Sequence, residues 1–219
     1  MEKSIDLKEN SAPTQNFKRS KRQKTKSEIL PAQQNINFKT IEELKLSAHS
    51  FILEIGFENK KHLPALFQKA QGIGYYGINF SDSPTEEVSN QLLKTNDGYA
   101  KFGCAKEKEK LDFEDNFFDC CFIVNTIYFW NEPKLIFAEI YRVLRTGGIF
   151  SISYIEQKHG KDLPWTQADF NFYETNELKA FLRIAGFGSI EVKQMTEEII
   201  IAPDGQKITR PFVYLTGKK

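Results

Sequence analysis

The sequence predicts an α/β fold in which a doubly wound, mostly parallel sheet carries helices on both faces. Three observations predict it: short apolar runs alternate with amphipathic stretches, the connections between them are short, and proline or glycine often marks their ends. Strands that alternate with helices in this way favour parallel pairing through right-handed crossovers. With 219 residues, 40% of them hydrophobic, the chain is long enough to bury the core of one such domain.

The first half of the domain is predicted to be a short helix followed by strand, helix, strand and helix. Nearly every position from Phe51 to Ile55 is apolar, which is typical of a strand buried on both faces. Pro84 suits the first turn of a helix, so a helix is predicted from Thr85 to Lys94. The remaining predicted elements are the helix Phe38 to Leu46, the helix His62 to Ala70 and the strand Tyr75 to Phe80.

The second half is predicted to be strand, helix and strand, followed by a helix and two further strands. Pro133 opens a helix with an apolar stripe to Leu144, and Gly147 and Gly148 are expected to end it because glycine accepts the left-handed conformation of a C-cap. Thr175 is expected to cap a helix that runs to about Ile184. The predicted strands are Asp119 to Val124, Ile149 to Tyr154, and an antiparallel edge pair formed by Ile190 to Met195 and Arg210 to Thr216.

The N-terminal residues differ from the rest in charge. Residues 1 to 26 carry eight Lys or Arg against three Asp or Glu, and the run from Lys18 to Lys26 has almost no apolar neighbour. We therefore predict a disordered basic tail over residues 1–34 and one domain over residues 35–219. Such a tract either remains a solvated tail or adds weak, salt-sensitive affinity for a nucleic acid or another anionic partner.

Several classes of protein are disfavoured by composition. No apolar run reaches about 18 residues and the N-terminus is polar, so neither a membrane span nor secretion is indicated and a cytoplasmic location is expected. Cys104, Cys120 and Cys121 are too few for a disulfide framework and lack the CxxC spacing of a metal site. Buried thiols are expected, and no metal site is predicted.

Five ordered blocks suggest a family. They are Ile52-Leu-Glu-Ile-Gly56, Leu111 to Asp119, Asn125 to Trp130, Arg142 to Gly148, and Ala185-Gly-Phe187. In the order and spacing of these blocks, residues 38 to 217 resemble the class I S-adenosylmethionine-dependent methyltransferases, in particular the type 11 methyltransferase-domain family. The resemblance implies a seven-stranded Rossmann-like sheet, S-adenosylmethionine as the cofactor, and methyl transfer to an acceptor that the sequence does not identify.

The resemblance also implies where the cofactor binds, because sheets of this kind bind ligands at the carboxyl ends of their strands. In the family's glycine-rich turn, Gly56 keeps the first position, but Glu58 and Lys60 occupy the next two, where a side chain could fill the cofactor's space. Asn79 stands where the family has an acidic residue for the ribose, and Cys104 where it often has one near the adenine. We therefore expect weakened binding. The implied cofactor contacts are Glu54, Gly56, Phe57, Asn79, Cys104, Ala105 and Asn125.

The catalytic group is less defined than the cofactor site. Methyl transfer from a sulfonium is an in-line displacement with an activated donor, so alignment matters more than a base. His159 is the candidate base because it follows the predicted strand Ile149 to Tyr154 on the expected acceptor side, although a lone histidine in a loop is usually just solvated. Glu54, Gly56 and Asn125 are also compatible with purely structural roles. A catalytically inactive methyltransferase-like protein that binds a partner is therefore the alternative hypothesis.

Overall fold

The computed structural model of the protein describes residues 36–57, 60–80, 91–95, 98–160, 171–201 and 206–219. Eight strands in these residues form one sheet. They are β1 (Phe51–Ile55), β2 (Ile73–Phe80), β3 (Gln91–Thr95), β4 (Gly98–Ala105), β5 (Phe118–Val124), β6 (Leu144–Tyr154), β7 (Gly188–Ile201) and β8 (Gln206–Lys218). The helices are α1 (36–43), α2 (Leu63–Phe67), α3 (Pro133–Val143), α4 (Gln157–Gly160) and α5 (Thr175–Ala185), with a 3-10 turn at Ile127–Phe129.

The sheet is mixed, with a parallel centre, and its strand order is β3-β4-β2-β1-β5-β6-β8-β7. The pairs β4 with β2, β2 with β1, β1 with β5, and β5 with β6 are parallel, whereas β3, β8 and β7 pair antiparallel with their neighbours. The predicted α/β class and its C-terminal antiparallel pair are confirmed. The sheet has eight strands rather than the expected seven, because β3 is added beside β4.

Helices cover both faces of the sheet, as predicted for a doubly wound fold. Alternate residues of β1 point to opposite faces, so Ile52 packs in one apolar cluster while Leu53 and Ile55 pack in the other. The first cluster also contains buried side chains of α1 and α2, and the second contains those of α3 and α5. These two layers leave the strand ends, rather than the sheet faces, open to ligands.

The predicted helix from Thr85 to Lys94 is wrong over the part that the structure describes. Residues 91–95 form β3, which pairs antiparallel with β4, and residues 81–90 lie outside the described part of the chain. Thr95 Oγ1 donates a hydrogen bond to the Gly98 carbonyl (3.1 Å) across the connection between the two strands. Gln, Leu and Lys are good helix formers, so the ladder with β4 overrides the local helix propensity of residues 91–94.

Three helix ends also differ from the predictions. Helix α2 is shorter than His62 to Ala70, and α3 ends at Val143 because Leu144 is already extended and pairs with Phe118. The chain from Leu144 to Gly148 thus belongs to β6 and not to a C-cap. Helix α5 is capped by Glu174 and Glu177 in a capping box, which frees Thr175 for other bonds.

Other predictions concern the thiols and the segments outside the described residues. Cys120 and Cys121 are buried and Cys104 is half-buried, and all three are free thiols. The basic tail over residues 1–34 lies outside the described residues, so affinity of the tract from Lys18 to Lys26 for an anionic partner stays a prediction. In the described part of the chain, no helix has the length and apolar character needed to cross a membrane.

Arg142 on α3 anchors the segment that leads into β5. Its guanidinium donates to the carbonyl oxygens of Leu111 (3.1 Å) and Phe113 (2.8 Å), and it also bonds Asp115 and Glu139. Glu139 Oε1 in turn accepts the Leu111 backbone N–H (2.7 Å). One arginine therefore connects a helix, a loop and the entry to a central strand.

Replacing Arg142 by methionine should lower the free energy of unfolding by about 2 kcal/mol, because two carbonyls and a part-buried carboxylate lose a charged donor. Chemical denaturation measures the change. The same substitution at Arg145, whose side chain is 59% exposed in its ion pair with Asp119, should cost less than about 1 kcal/mol. Equal losses in the two variants would contradict the anchoring role of Arg142.

Candidate functional site

The carboxyl ends of the parallel strands converge at one edge of the sheet. Hydrogen bonding continues beyond the strands there: the Gly56 N–H donates to the Ile78 carbonyl (2.8 Å), and the Asn125 N–H donates to the Ser153 carbonyl (2.9 Å). Asn79 on β2 lies directly opposite Cys104 on β4. Most of the predicted cofactor contacts are thus neighbours along one continuous edge, called the carboxyl edge below.

The turn after β1 requires glycine at its first position. Gly56 has a φ of +86°, a conformation that side chains disfavour. A Cβ there would lie 2.2 Å from Cγ2 of Thr126, which follows β5. The Thr126 hydroxyl donates to the Val124 carbonyl (3.0 Å). Gly56 therefore allows the turns after β1 and β5 to approach each other closely.

Phe57 and Lys60 both contact the ring of Phe102 on β4. Phe57 is 6% exposed and its ring centroid lies 5.1 Å from that of Phe102, so its side chain belongs to the core. Lys60 Nζ lies 4.3 Å from the centre of the Phe102 ring, and partial burial lowers the pKa of this amine. Glu58 lies outside the described residues. The Lys60 side chain thus stacks against an aromatic ring.

Asn79, Cys104 and Ala105 form the part of the carboxyl edge that offers half-exposed side chains. They end the adjacent strands β2 and β4, and Gly103 precedes them without a side chain. Burial raises the pKa of the Cys104 thiol, so this group is a neutral, weak hydrogen-bonding partner near pH 7. This part of the edge is therefore polar but uncharged.

Asn125 is held by Tyr128 in the next turn. Its φ is +52°, and its Oδ1 lies 3.1 Å from the Tyr128 hydroxyl. That hydroxyl also lies 3.2 Å from the Ile155 carbonyl and accepts the Ile155 N–H at 2.5 Å. Burial raises the pKa of Tyr128, so the phenol stays neutral. The Tyr128 side chain, which sequence reasoning did not select, ties together the turns after β5 and β6.

Glu54, the carboxylate in an otherwise apolar strand, lies in a buried hydrogen-bonded group. Its Oε2 lies 2.7 Å from Nε2 of His62 and accepts the Tyr75 hydroxyl at 2.5 Å. All three residues are at most 3% exposed. Neither His62 nor Tyr75 was predicted as a partner of Glu54, although a charge buried in a central strand implies a partner that neutralises it.

Among the described residues, the side chain of the candidate base His159 makes no contact with the other predicted site residues. It is exposed in α4, and its backbone N–H donates to the Glu156 carbonyl (2.9 Å). The neighbouring Tyr154 points away from solvent and pairs with Thr175 Oγ1 at 2.7 Å. A catalytic role for His159 stays a prediction.

Beyond β6, α1 and the hairpin of β7 and β8 extend the site. Because β8 pairs with β6 only as far as Val213, its earlier residues project past the carboxyl edge. Arg210 in this projection forms a buried ion pair with Glu197, and Lys39 of α1 donates to the Thr196 carbonyl (2.5 Å). Thr40 Oγ1 donates to Ser153 Oγ at the end of β6 (2.6 Å). The first helix is therefore fastened to one side of the carboxyl edge.

A cavity of about 340 Å³ lies at the other side of the edge, between α3 and the segment after β4. Phe80 and Leu111 contribute apolar walls, while Glu107 and Arg142 contribute charged groups. Glu107 also accepts hydrogen bonds from the Asn131 amide (2.8 Å) and the Glu132 N–H (3.0 Å) at the start of α3. The segment after β4 is thus fixed close to Cys104 and Ala105.

Comparison with protein families matches residues 53–152 to the family described as "Methyltransferase domain". The matched part runs from β1 to near the end of β6. It contains Gly56, Asn79, Cys104 and Asn125. Comparison with curated protein sequences gives no match.

Solved structures share the fold at low sequence identity. A methyltransferase in a Haloferax volcanii complex with the activator Trm112 has a TM-score of 0.62 and 18% identity, over 87% of this chain and 90% of that one. A Thermotoga maritima S-adenosylmethionine-dependent methyltransferase, a possible histamine N-methyltransferase, has a TM-score of 0.58 and 19% identity over the same shares. The [4+2]-cyclase SpnF has a TM-score of 0.57 and 18% identity, over 84% of this chain and 79% of that one.

Replacing Gly56 by alanine should destabilise the protein by at least about 2 kcal/mol, because the new Cβ combines a disfavoured φ with a collision against Thr126. The midpoint of urea unfolding measures the loss. Gly188→Ala is the matched control: a Cβ there would meet only the Lys218 carbonyl at 4.0 Å, so a change within about 0.5 kcal/mol is expected. A Gly56→Ala variant that is as stable as the wild type would refute the close approach of the two turns.

Proposed function

We propose that this chain, whose residues 53–152 match the family described as "Methyltransferase domain", is a member of that family, binds S-adenosylmethionine at the carboxyl edge and transfers its methyl group to an acceptor. The observation that carries the proposal is the convergence of Gly56, Asn79, Cys104 and Asn125 at the ends of four parallel strands. Ligands of open α/β sheets bind at this edge. The acceptor is a separate question that these residues do not address.

The described residues are compatible with this cofactor. Gly56 presents backbone without a side chain, which suits close approach of the methionine part of the ligand. Asn79 offers an amide that can both accept and donate hydrogen bonds at the ribose, and Ala105 leaves room beside the adenine. Two buried side chains support the carboxyl edge from within the core. Phe57 packs on Phe102, and Glu54 bonds to His62 and Tyr75.

We further propose that the cofactor binds more weakly than it would with an acidic residue at position 79. A carboxylate accepts charge-assisted hydrogen bonds from ribose hydroxyls, and these bonds are roughly twice as strong as those to a neutral amide. Cys104 is a poor acceptor at the adenine side, and Glu54 Oε2 is already occupied by His62 and Tyr75. The departures from the family pattern at Asn79 and Cys104 each lower the affinity for the cofactor without altering the fold.

Bound S-adenosylmethionine supplies a methyl group that is already activated by the sulfonium. The residues of the chain then have to hold the donor in line with the acceptor and exclude water. Tyr128 is neutral and fully engaged by Asn125 and Ile155, which suits a positioning role better than proton transfer. An acceptor that is already nucleophilic, such as an unprotonated amine, needs no base from the protein.

A catalytically inactive binding protein is the second candidate, and the neutral Asn79 favours it. The likeness to SpnF, a cyclase by name, also illustrates that this fold accommodates other reactions. Cofactor binding and methyl transfer therefore have to be measured separately. Binding without turnover across a panel of small-molecule and macromolecular acceptors would support the second candidate.

Isothermal titration with S-adenosylhomocysteine tests the binding proposal directly. The wild-type protein should bind it, and Asn79→Asp should tighten the Kd about tenfold, because a charge-assisted bond adds about 1–1.5 kcal/mol. Asn116→Asp is the matched control: Asn116 lies exposed in the turn before β5, at the opposite end of that strand. It should leave the Kd unchanged.

Two results would contradict the proposal in different ways. No heat of binding at millimolar ligand, in either the wild type or Asn79→Asp, would show that the protein does not bind this cofactor. Binding that is equally strong in Asn79→Asp and in the wild type would instead show that Asn79 does not contact the ribose.

A further inference from the structure

His62 lies at a junction between three strands, immediately before α2. Its side chain is buried on the face covered by α1 and α2, where its Nε2 lies 2.7 Å from Glu54 Oε2. The Tyr75 ring of β2 and the Phe122 ring of β5 surround the imidazole at centroid distances of 6.2 and 6.5 Å. Histidine is fully buried less often than the apolar side chains, whereas His62 is only 3% exposed.

The contact between Glu54 and His62 joins the end of β1 to the start of α2. Glu54 is the second-last residue of β1, and His62 is the last residue before α2. The intervening chain contains Gly56, which we assign to the cofactor. This side-chain contact helps to fix the separation between β1 and α2, together with the contacts of Phe57 and Lys60 with Phe102, while Tyr75 fixes the carboxylate from β2.

The groups around His62 make the strength of its contact with Glu54 depend on whether the imidazole is protonated. Glu54 from β1 and Tyr75 from β2 are the titratable groups that face the imidazole, β5 contributes the uncharged Phe122, and Lys60 and Lys61 of its own segment are exposed. Burial lowers the pKa of His62, but the charge and hydrogen bond of Glu54 outweigh it, so the pKa is raised overall. Burial, followed by the charge of Glu54, also raises the pKa of Tyr75, which stays neutral.

We propose that His62 is a positioning residue for the carboxyl edge: through Glu54 it holds the start of α2 against the end of β1, more firmly while its imidazole is protonated than after the proton leaves. A protonated Nε2–H forms a charge-assisted bond to the carboxylate, whereas the neutral ring forms an ordinary one. Nδ1 is buried without a hydrogen-bond partner among the described residues, so the bond to Glu54 is the polar contact that changes. This inference rests on the proposed function only in assigning the turn to the cofactor.

The sign of the pH dependence follows from the direction of the pKa shift. A histidine with a raised pKa in the folded state contributes stability that is fully present below its unfolded pKa, about 6.5. That contribution is lost as the pH rises through the folded-state value. The contact between β1 and α2 should therefore be firmest in mildly acidic solution and should weaken towards alkaline pH.

The experiment combines NMR titration of the histidine imidazoles with thermal unfolding from pH 5.5 to 9. In the wild type, one imidazole should titrate above about pH 6.5, and its resonance should be absent in His62→Gln. The Tm difference between the wild type and His62→Gln should be largest near pH 6 and should shrink by at least half at pH 9. Tyr75→Phe is the control, because it removes a hydrogen bond without removing the titrating ring, and its Tm deficit relative to the wild type should vary less with pH.

The cofactor arm measures S-adenosylhomocysteine binding over the same pH range. The Kd of the wild type should rise at least threefold between pH 6 and pH 9, and that of His62→Gln should not. An imidazole of His62 that titrates below about pH 6, or a Tm difference that does not change with pH, would overturn the proposal. Should His62→Gln fail to fold, the wild-type imidazole titration and the pH dependence of the Kd still decide it. Absence of ligand binding at every pH would refute the proposed function, while the titration and unfolding data would still decide the role of His62.

Discussion

The parallel pairing of β1 on both sides is the constraint on which the rest of the site depends. β1 lies between β2 and β5, and each of the three strands ends at the same edge of the sheet. A strand in that position is buried on both faces, which explains its nearly continuous apolar sequence. Its carboxyl end is the point where polar chemistry can be presented, and Gly56 begins the turn there with a conformation that lets Thr126 pack against it.

Glu54 is the exception to the apolar character of β1. A buried carboxylate is costly unless it is paired and hydrogen-bonded, and His62 and Tyr75 supply both needs from neighbouring elements. The same contacts connect the core to the turn that follows β1. A residue that resembles a ligand contact in the sequence is thus also part of the packing that shapes the ligand site.

Much of the fold could be predicted from local patterns. β1 has the predicted bounds, and proline at the start of α3 and glycine at the end of α5 mark helix termini as expected. The helix predicted over Thr85 to Lys94 failed in its last turn because pairing with β4, a contact distant in sequence, decides the conformation of residues 91–95. Thr175 was a reasonable N-cap by type, but Glu174 and Glu177 together satisfy the same backbone groups and leave its hydroxyl to Tyr154 and Glu156.

The site was less predictable than the fold, for a physical reason. Asn79 and Cys104 were assigned to one site through the family resemblance, and the register of β2 against β4 places them opposite each other. The roles of His62, Tyr75 and Tyr128 depend on side chains that meet across strands and turns, and no local spacing encodes such meetings. Arg210 and Glu197 illustrate the same limit, since their buried pair depends on the register of β8 against β7.

The central claim is that the carboxyl edge binds S-adenosylmethionine or its product. The most direct measurement is an NMR chemical-shift map of the isotope-labelled protein titrated with S-adenosylhomocysteine. The account predicts that the largest shifts fall on the backbone amides of Gly56, Asn79, Ala105 and Asn125, with little change at Asn116. Shifts confined to other surfaces, or none at millimolar ligand, would contradict it.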